Sequence, residues 1–248
     1  MWAYIRFELK NTLGYPIAMI VGGILPLVLV LSNYHATGHA ALDQATAKGV
    51  FVTLLPMVPL GLVILPFTIS FARDMTSGIT NRLVLFGYTL TRQLLAKFIA
   101  VLLLVLSMTT LYWVVLSQML PLPKLSLLAL VMIYLSMICL AGGLYLLAFA
   151  IAQVFEGFNM IQGIAMLCYF GIAFTTGSMG VSQVPAGVTQ LSRWIPFKIF
   201  RETLRAQWQG QQLAGFQDEL LQMGVFILIT FALYCLAKRY RRLKKRPV

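Results

Sequence analysis

Apolar residues in this chain fall into runs of roughly twenty, the length that crosses a bilayer as a helix. Six such runs predict six spans, at about 15–33, 49–72, 98–117, 125–152, 160–177 and 220–237. Three other segments follow a helical period without being long or apolar enough to span. The first is "MWAYIRFELKNTLG" (1–14), where Trp2, Ile5, Leu9 and Leu13 share one face and Arg6 and Lys10 lie one turn apart on another. That pattern predicts an interfacial helix lying in the membrane plane. The second is Arg73–Lys97, where Ile79, Leu83, Phe86, Leu90 and Leu94 recur at spacings of 4, 3, 4 and 4. This predicts a short helix over about Ser77–Phe86, a break at Gly87, and a new start at Thr89 or Thr91 leading into the third span. Ser77 or Thr76 is the expected cap, with Asp74 near the positive end of the helix dipole.

The third lies in the long segment between spans five and six. Trp194 leads into "IPFKIFRETLRAQW", where Phe197, Phe200, Leu204 and Trp208 form one face and Lys198, Arg201, Glu202 and Arg205 the other. Pro196 suits a first helical turn. The spacing predicts an amphipathic helix resting on, or dipping into, the outer membrane surface.

Composition agrees with an all-α integral membrane protein. The 248 residues are 60% hydrophobic and 10% charged, against about 25% charged in soluble domains. The formal net charge of +12 would suit nucleic acid, but Lys and Arg also collect on the cytoplasmic side of membrane proteins. Six spans put both termini on one side. With the termini inside, thirteen of the nineteen basic residues are cytoplasmic: Arg6, Lys10, Arg73, Arg82, Arg92, Lys97 and seven in the tail 238–248. Lys48, Lys124, Arg193, Lys198, Arg201 and Arg205 are then outside. The expected location is therefore the cell membrane, multi-pass, with both termini cytoplasmic, a basic tail touching anionic lipid, and no nucleic-acid partner. The first span is too long for a cleavable signal peptide and no small-residue cleavage pattern follows it. Residues 1–248 read as a single transmembrane domain.

Within the second span, Pro56, Pro59 and Pro66 predict a bent helix, lining a pathway or simply kinked. In the fifth span Ala173 and Gly177, with Gly163 and Gly171 nearby, allow close helix approach. Cys139, Cys168 and Cys235 lie inside spans as soft packing residues. His35 and His39 stand apart, so neither a disulfide nor a metal site is expected.

Several chemistries are disfavoured. The predicted span interiors carry no Asp, Glu, Lys, Arg or His, whereas ion and proton pathways use such residues. Glu156 stands in the connection "QVFEGFNM" between two of the spans. A serine protease needs a base within reach of its nucleophile, and no predicted span interior holds a histidine. There is no G-x-x-x-x-G-K-[ST] phosphate loop. No catalytic residue and no cofactor is assigned to this chain. If transport is energised, the energy must come from another subunit.

The connection after the second span resembles that of type-2 ABC exporter permeases. Asp74, Gly78, Leu83 and Lys97 match an acidic residue, a Gly, a Leu-rich turn and the Lys that opens the third span in that family. Ile79 stands where the family usually has Thr, and Gly87 where Pro is common. The N-terminal amphipathic helix, the six spans and "IPFKIFRETLR" extend the resemblance along the whole chain. The resemblance implies a transport subunit that is not itself an enzyme, paired with a second permease copy, or a related permease. ATP and Mg would be bound by a separate ATP-binding subunit. It implies an ATPase-coupling surface at Ser77–Phe86, comprising Arg73, Asp74, Ser77, Gly78, Ile79, Arg82, Leu83 and Phe86. The aromatic and Met-rich spans suit an amphipathic or hydrophobic cargo, a peptide, bacteriocin or drug, moved outward. A lipid-linked glycan is the alternative cargo, and a membrane binding or immunity protein that transports nothing is the alternative class.

Overall fold

In the computed structural model of the protein, residues 2–14, 16–36, 43–178 and 194–244 are described, and those placed in regular structure are helical. The expectations for His39, Arg193 and the last residues of the basic tail lie outside them. The helices are α1 (Trp2–Leu13), α2 (Pro16–Met19), a π-helical turn (Ile20–Ile24) running into α3 (Leu25–Ala36), α4 (Gln44–Leu54) and α5 (Met57–Thr76). Then come α6 (Ile79–Leu85), α7 (Leu90–Met119), α8 (Leu127–Val154), α9 (Phe158–Thr175), α10 (Phe197–Ala206), a 3₁₀ turn (Leu213–Phe216) and α11 (Gln217–Lys244).

Among the described residues, five helical stretches are long and apolar enough to cross a membrane: Gln44–Thr76, Leu90–Met119, Leu127–Val154, Phe158–Thr175 and Leu213–Arg241. The first apolar run is the shorter helix Ile20–His35. Its π turn lies just ahead of Pro26, which has no N–H to offer the carbonyl four residues back, and the Leu25 N–H reaches Ile20 O, five back.

Helix α5 is the axis of the bundle. Met57–Ile69 is buried throughout, with α8 and α9 against it and the π turn crossing it. Gly22 and Gly61 meet backbone to backbone at that crossing. The three prolines expected to bend this span act unequally. Pro56 lies in the turn that separates α4 from α5, Pro59 falls in the first turn of α5, and Pro66 sits inside a helix that continues to Thr76. The Tyr112 hydroxyl donates to Phe51 O just before the break, at 2.9 Å.

Helices α8 and α11 form the most extensive pair. Gly143 leaves room for the Phe226 ring, and the Ser136 hydroxyl donates to the Glu219 carboxylate. Glu219 is 1% exposed, which corrects the expectation of helix interiors free of charge. With the last span drawn from residue 220, the acid fell one position outside it. The helix instead begins at Gln217, so Glu219 faces α8.

The two ends of the bundle differ. One end gathers α1, α6 and the final turns of α11, where Arg241 donates to Gln153 Oε1 at 2.6 Å. The other gathers the start of α4, the 120–126 connection and α10, where Ser126 N–H donates to Trp208 O at 3.1 Å.

Candidate functional site

The chain leaves α5 through Gly78, whose φ of +71° only glycine adopts readily. The expected caps do something else. The Ser77 hydroxyl donates back to Arg73 O at 2.8 Å and the Thr76 hydroxyl to Ala72 O at 3.1 Å. Both therefore close α5 instead of opening α6, and α6 starts on Gly78 without a side-chain cap. It stops at Gly87, φ +84°. Tyr88 N–H bonds Leu83 O and Gly87 N–H bonds Val84 O, each at 3.0 Å, the Schellman closure that a left-handed glycine permits. Helix α7 restarts on Thr89, whose hydroxyl accepts from Arg92 N–H.

The inner side of α6 is fixed to the chain. Thr80 is buried, and Leu83 packs on a small cluster of Tyr4, Ile5, Ala96 and Ala100. The buried Gln93 amide donates to Thr80 O at 3.2 Å and to Tyr88 O at 2.8 Å, holding both ends of α6 against α7. The outer side is bare: Leu85 is 86% exposed and Phe86 79%, with Ile79, Arg82 and Val84 beside them. Of the expected stripe Ile79–Leu83–Phe86, the middle residue thus belongs to the chain's own interior. Arg73 is exposed at the end of α5.

Asp74 is not a helix-dipole partner. Its carboxylate receives Lys97 Nζ at 2.7 Å, and the same ammonium reaches Glu8 Oε2 at 3.1 Å. Lys97 and Glu8 are almost fully buried and Asp74 largely so. Two carboxylates and one ammonium from α1, α5 and α7 therefore meet where water is scarce. Burial, then the neighbouring Glu8 carboxylate, raises the Tyr4 phenol well above its ordinary range. Sequence reasoning missed both Glu8 and Gln93. The available signal was Gln93 and Lys97 four apart on an otherwise apolar helical face, facing the acidic position 8 of an amphipathic helix. Helix α1 buries Tyr4, Ile5 and Glu8 and leaves Trp2, Phe7 and Leu13 exposed, so the expected Trp2–Ile5–Leu9–Leu13 face is split.

At the other end, α10 forms as its period indicates, but its cover is not lipid. Phe197, Phe200, Leu204 and Trp208 are buried in the chain's own core. The Trp208 ring meets Phe51 edge-on at 5.6 Å, and its Nε1–H donates to Pro123 O at 3.0 Å. Trp194 precedes the helix and is exposed. Lys198 pairs loosely with Glu202 at 3.8 Å on the exposed face. Arg201 donates to Thr176 O, capping the carbonyl end of α9. Burial, with Arg205 nearby, brings its guanidinium down to about 10. Arg205 donates to Gly49 O at 3.0 Å and to the Thr53 hydroxyl, while Lys48 Nζ donates to Arg205 O at 3.1 Å.

A family model described as ABC-2 family transporter protein matches residues 26–236. The chain belongs to the ABC-2 transporter family. Its helices and this membership make it a multi-pass permease, the membrane component of a transporter that partners an ATP-binding subunit. No curated protein matches it. The match takes in α6, Lys97 and α10; residues 2–13, which supply Glu8, lie outside it.

Proposed function

We propose that this ABC-2 permease exports an amphipathic or hydrophobic cargo across the cell membrane, energised by ATP hydrolysis in a separate chain that docks on α6. The observation that carries the proposal is the bare outer side of α6. A seven-residue helix, braced on its inner side by Thr80, Leu83 and Gln93, holds Leu85 and Phe86 out into solvent. Exposed apolar surface of this kind marks an interaction site. The coupling contacts are Ile79, Arg82, Leu85 and Phe86, with Arg73 at the rim. Ser77, Gly78, Asp74 and Leu83 set the position of the helix.

The proposed arrangement has six crossings, with Pro16–Ala36 as the first, and the α1/α6 end in the cytoplasm. A second copy of the chain supplies the other half of the pathway. In support, Gly163 and Gly171 have open space where a Cβ would stand, beside exposed Met160, Leu167 and Phe174 on α9. Apolar cargo is supported by a groove of about 370 Å³ between α7, α8 and α11, lined by Phe98, Tyr145, Phe149, Phe231 and Tyr234 among others.

The test is co-purification from native membranes, followed by reconstitution in vesicles with the ATP-binding chain recovered. Leu85→Asp and Phe86→Ser should abolish association and ATP-driven uptake of an amphipathic peptide into inverted vesicles. Recovery of no ATP-binding chain, or association untouched by both substitutions, would overturn the proposal and favour a binding or immunity role.

A further inference from the structure

The buried ion triad joins three elements that the chain separates widely, and one of them lies outside the family match. Glu8 comes from α1, Asp74 from the last turn of α5, and Lys97 from the second turn of α7. Asp74 lies four residues before Gly78, where α6 departs. Lys97 lies four residues after Gln93, whose amide holds both ends of α6. The apolar contacts follow the same lines, with Tyr4 and Ile5 of α1 and Leu83 of α6 meeting on Ala96 and Ala100 of α7.

We infer that Glu8 is a positioning residue for energy coupling: through Lys97 it makes α1 part of the unit that moves when α6 is displaced. This rests on the docking of the ATP-binding chain at α6. The physical argument concerns what can shear. An ion pair between desolvated groups is not replaced by water when it breaks, so each partner is left unpaired at high cost. Displacement of α6 therefore carries α7 and α1 with it. One ammonium serves two carboxylates, so the pairs are not equivalent to remove. Without Glu8, Lys97 still has Asp74 and the site is neutral. Without Lys97, two buried carboxylates face each other.

The first experiment uses the chain alone, and so does not depend on the docking reading. Spin labels at Arg6→Cys and Arg82→Cys, both exposed positions, introduced after Cys139, Cys168 and Cys235 are replaced by Ala, report the α1–α6 distance. One narrow distribution is expected for the otherwise native chain and a broadened one for Glu8→Gln, with Glu8→Asp restoring much of the narrow component. An unchanged distribution in Glu8→Gln overturns the inference, whatever the status of the docking reading. The second experiment uses the complex in vesicles and reads transport per ATP hydrolysed, a ratio that mere loss of folded protein does not move. Glu8→Gln should lower that ratio about tenfold, within the range of coupling between linked sites. The neutral triple variant Glu8→Gln/Asp74→Asn/Lys97→Met, which leaves no buried charge unpaired, should fold and remain uncoupled. A native ratio in either variant overturns the inference while leaving α6 docking intact.

Discussion

The crossing of the π turn over α5 sets a measurable limit on side-chain size. A Cβ built on Gly61 would stand 2.7 Å from Gly22 Cα, 2.8 Å from Val21 O and 2.9 Å from Gly22 N. Ordinary van der Waals contact begins at 3.4 Å, so the closest approach is short by 0.7 Å. All three obstacles are backbone and cannot rotate away. The helices must move apart along a stretch where α5 is buried on every side. Overpacking of this kind costs about 1–3 kcal/mol. The helix propensity gained by Gly→Ala returns roughly 0.8–1.0 kcal/mol, so the net loss for Gly61→Ala is about 0–2 kcal/mol. A domain of this size loses about 2–4 °C of Tm per kcal/mol, which predicts a fall of about 3 °C at the middle of that range. Gly142→Ala is the internal control, since nothing lies within 4 Å of its Cβ position and it should be neutral or stabilising. Gly23→Ala is intermediate, because its Cβ meets the flexible Met108 sulfur at 3.3 Å. The assay is thermal unfolding of the detergent-solubilised chain, followed by size-exclusion of the surviving fraction. If Gly61→Ala survives heating as well as Gly142→Ala, the backbone-on-backbone crossing is wrong.

Four further outcomes are expected. Leu83→Asp should lower the Tm of the isolated chain, whereas Leu85→Asp should leave it within a degree or so, because one side chain is packed and the other bare; thermal scans without any partner decide this. Trp208→Ala should cost about 3–5 kcal/mol as a large-to-small core change, and Trp208→Phe about 1 kcal/mol for the lost bond to Pro123 O, both read by the same scans. Arg201→Ala leaves the Thr176 carbonyl without its guanidinium donor, costing about 1–3 kcal/mol, and Arg201→Lys should recover only part of this. Tyr4 has a raised folded pKa, so its neutral form favours the folded state. That contribution is fully present below the ordinary value of 10.0 and is lost as pH rises above it. The α1–α6 distance should therefore broaden in alkali, and Tyr4→Phe should blunt the change.

What the sequence disclosed follows the range of the interactions. The end of α6 and the restart at α7 were legible because Gly87 and Thr89 act on neighbouring backbone, whereas its start was read from Ser77 or Thr76 as a cap and both close α5 instead. Its stripe was read with the right period, yet periodicity says that a face is apolar without saying what covers it. Leu83 and Phe86 are three apart on one helix; the first is covered by Tyr4 and Ala96, the second by nothing in the chain. The same limit applies to α10, whose apolar face was assigned to lipid and is instead sealed by Phe51 and the core around it. The triad was illegible for a stronger reason. Residues 8, 74 and 97 become neighbours only after three helices have docked, and each alone reads as an interfacial charge. Glu219 was hidden by a boundary, since one residue decides whether an acid counts as solvated or as buried against Ser136.

The two ends of the bundle also neutralise their cations differently, and this bears on the proposed orientation. At the α6 end Lys97 is met by carboxylates. At the α10 end Arg201, Arg205 and Lys48 direct donors to backbone carbonyls at Thr176, Gly49 and Arg205. A carbonyl end of a helix carries partial negative charge and accepts a cation as a cap, so Arg201 completes α9 through Thr176 O, with the Glu202 carboxylate also nearby. Such cations are retained by the fold. They are poor witnesses to topology, because the charge rule counts residues free to respond to the membrane's asymmetry. Setting these three aside leaves three of the basic residues assigned outside, and setting aside Lys97 and Arg241, which the fold holds in the same way, leaves eleven of the thirteen assigned inside. The bias toward cytoplasmic termini therefore becomes steeper once the cations held by the fold are set aside.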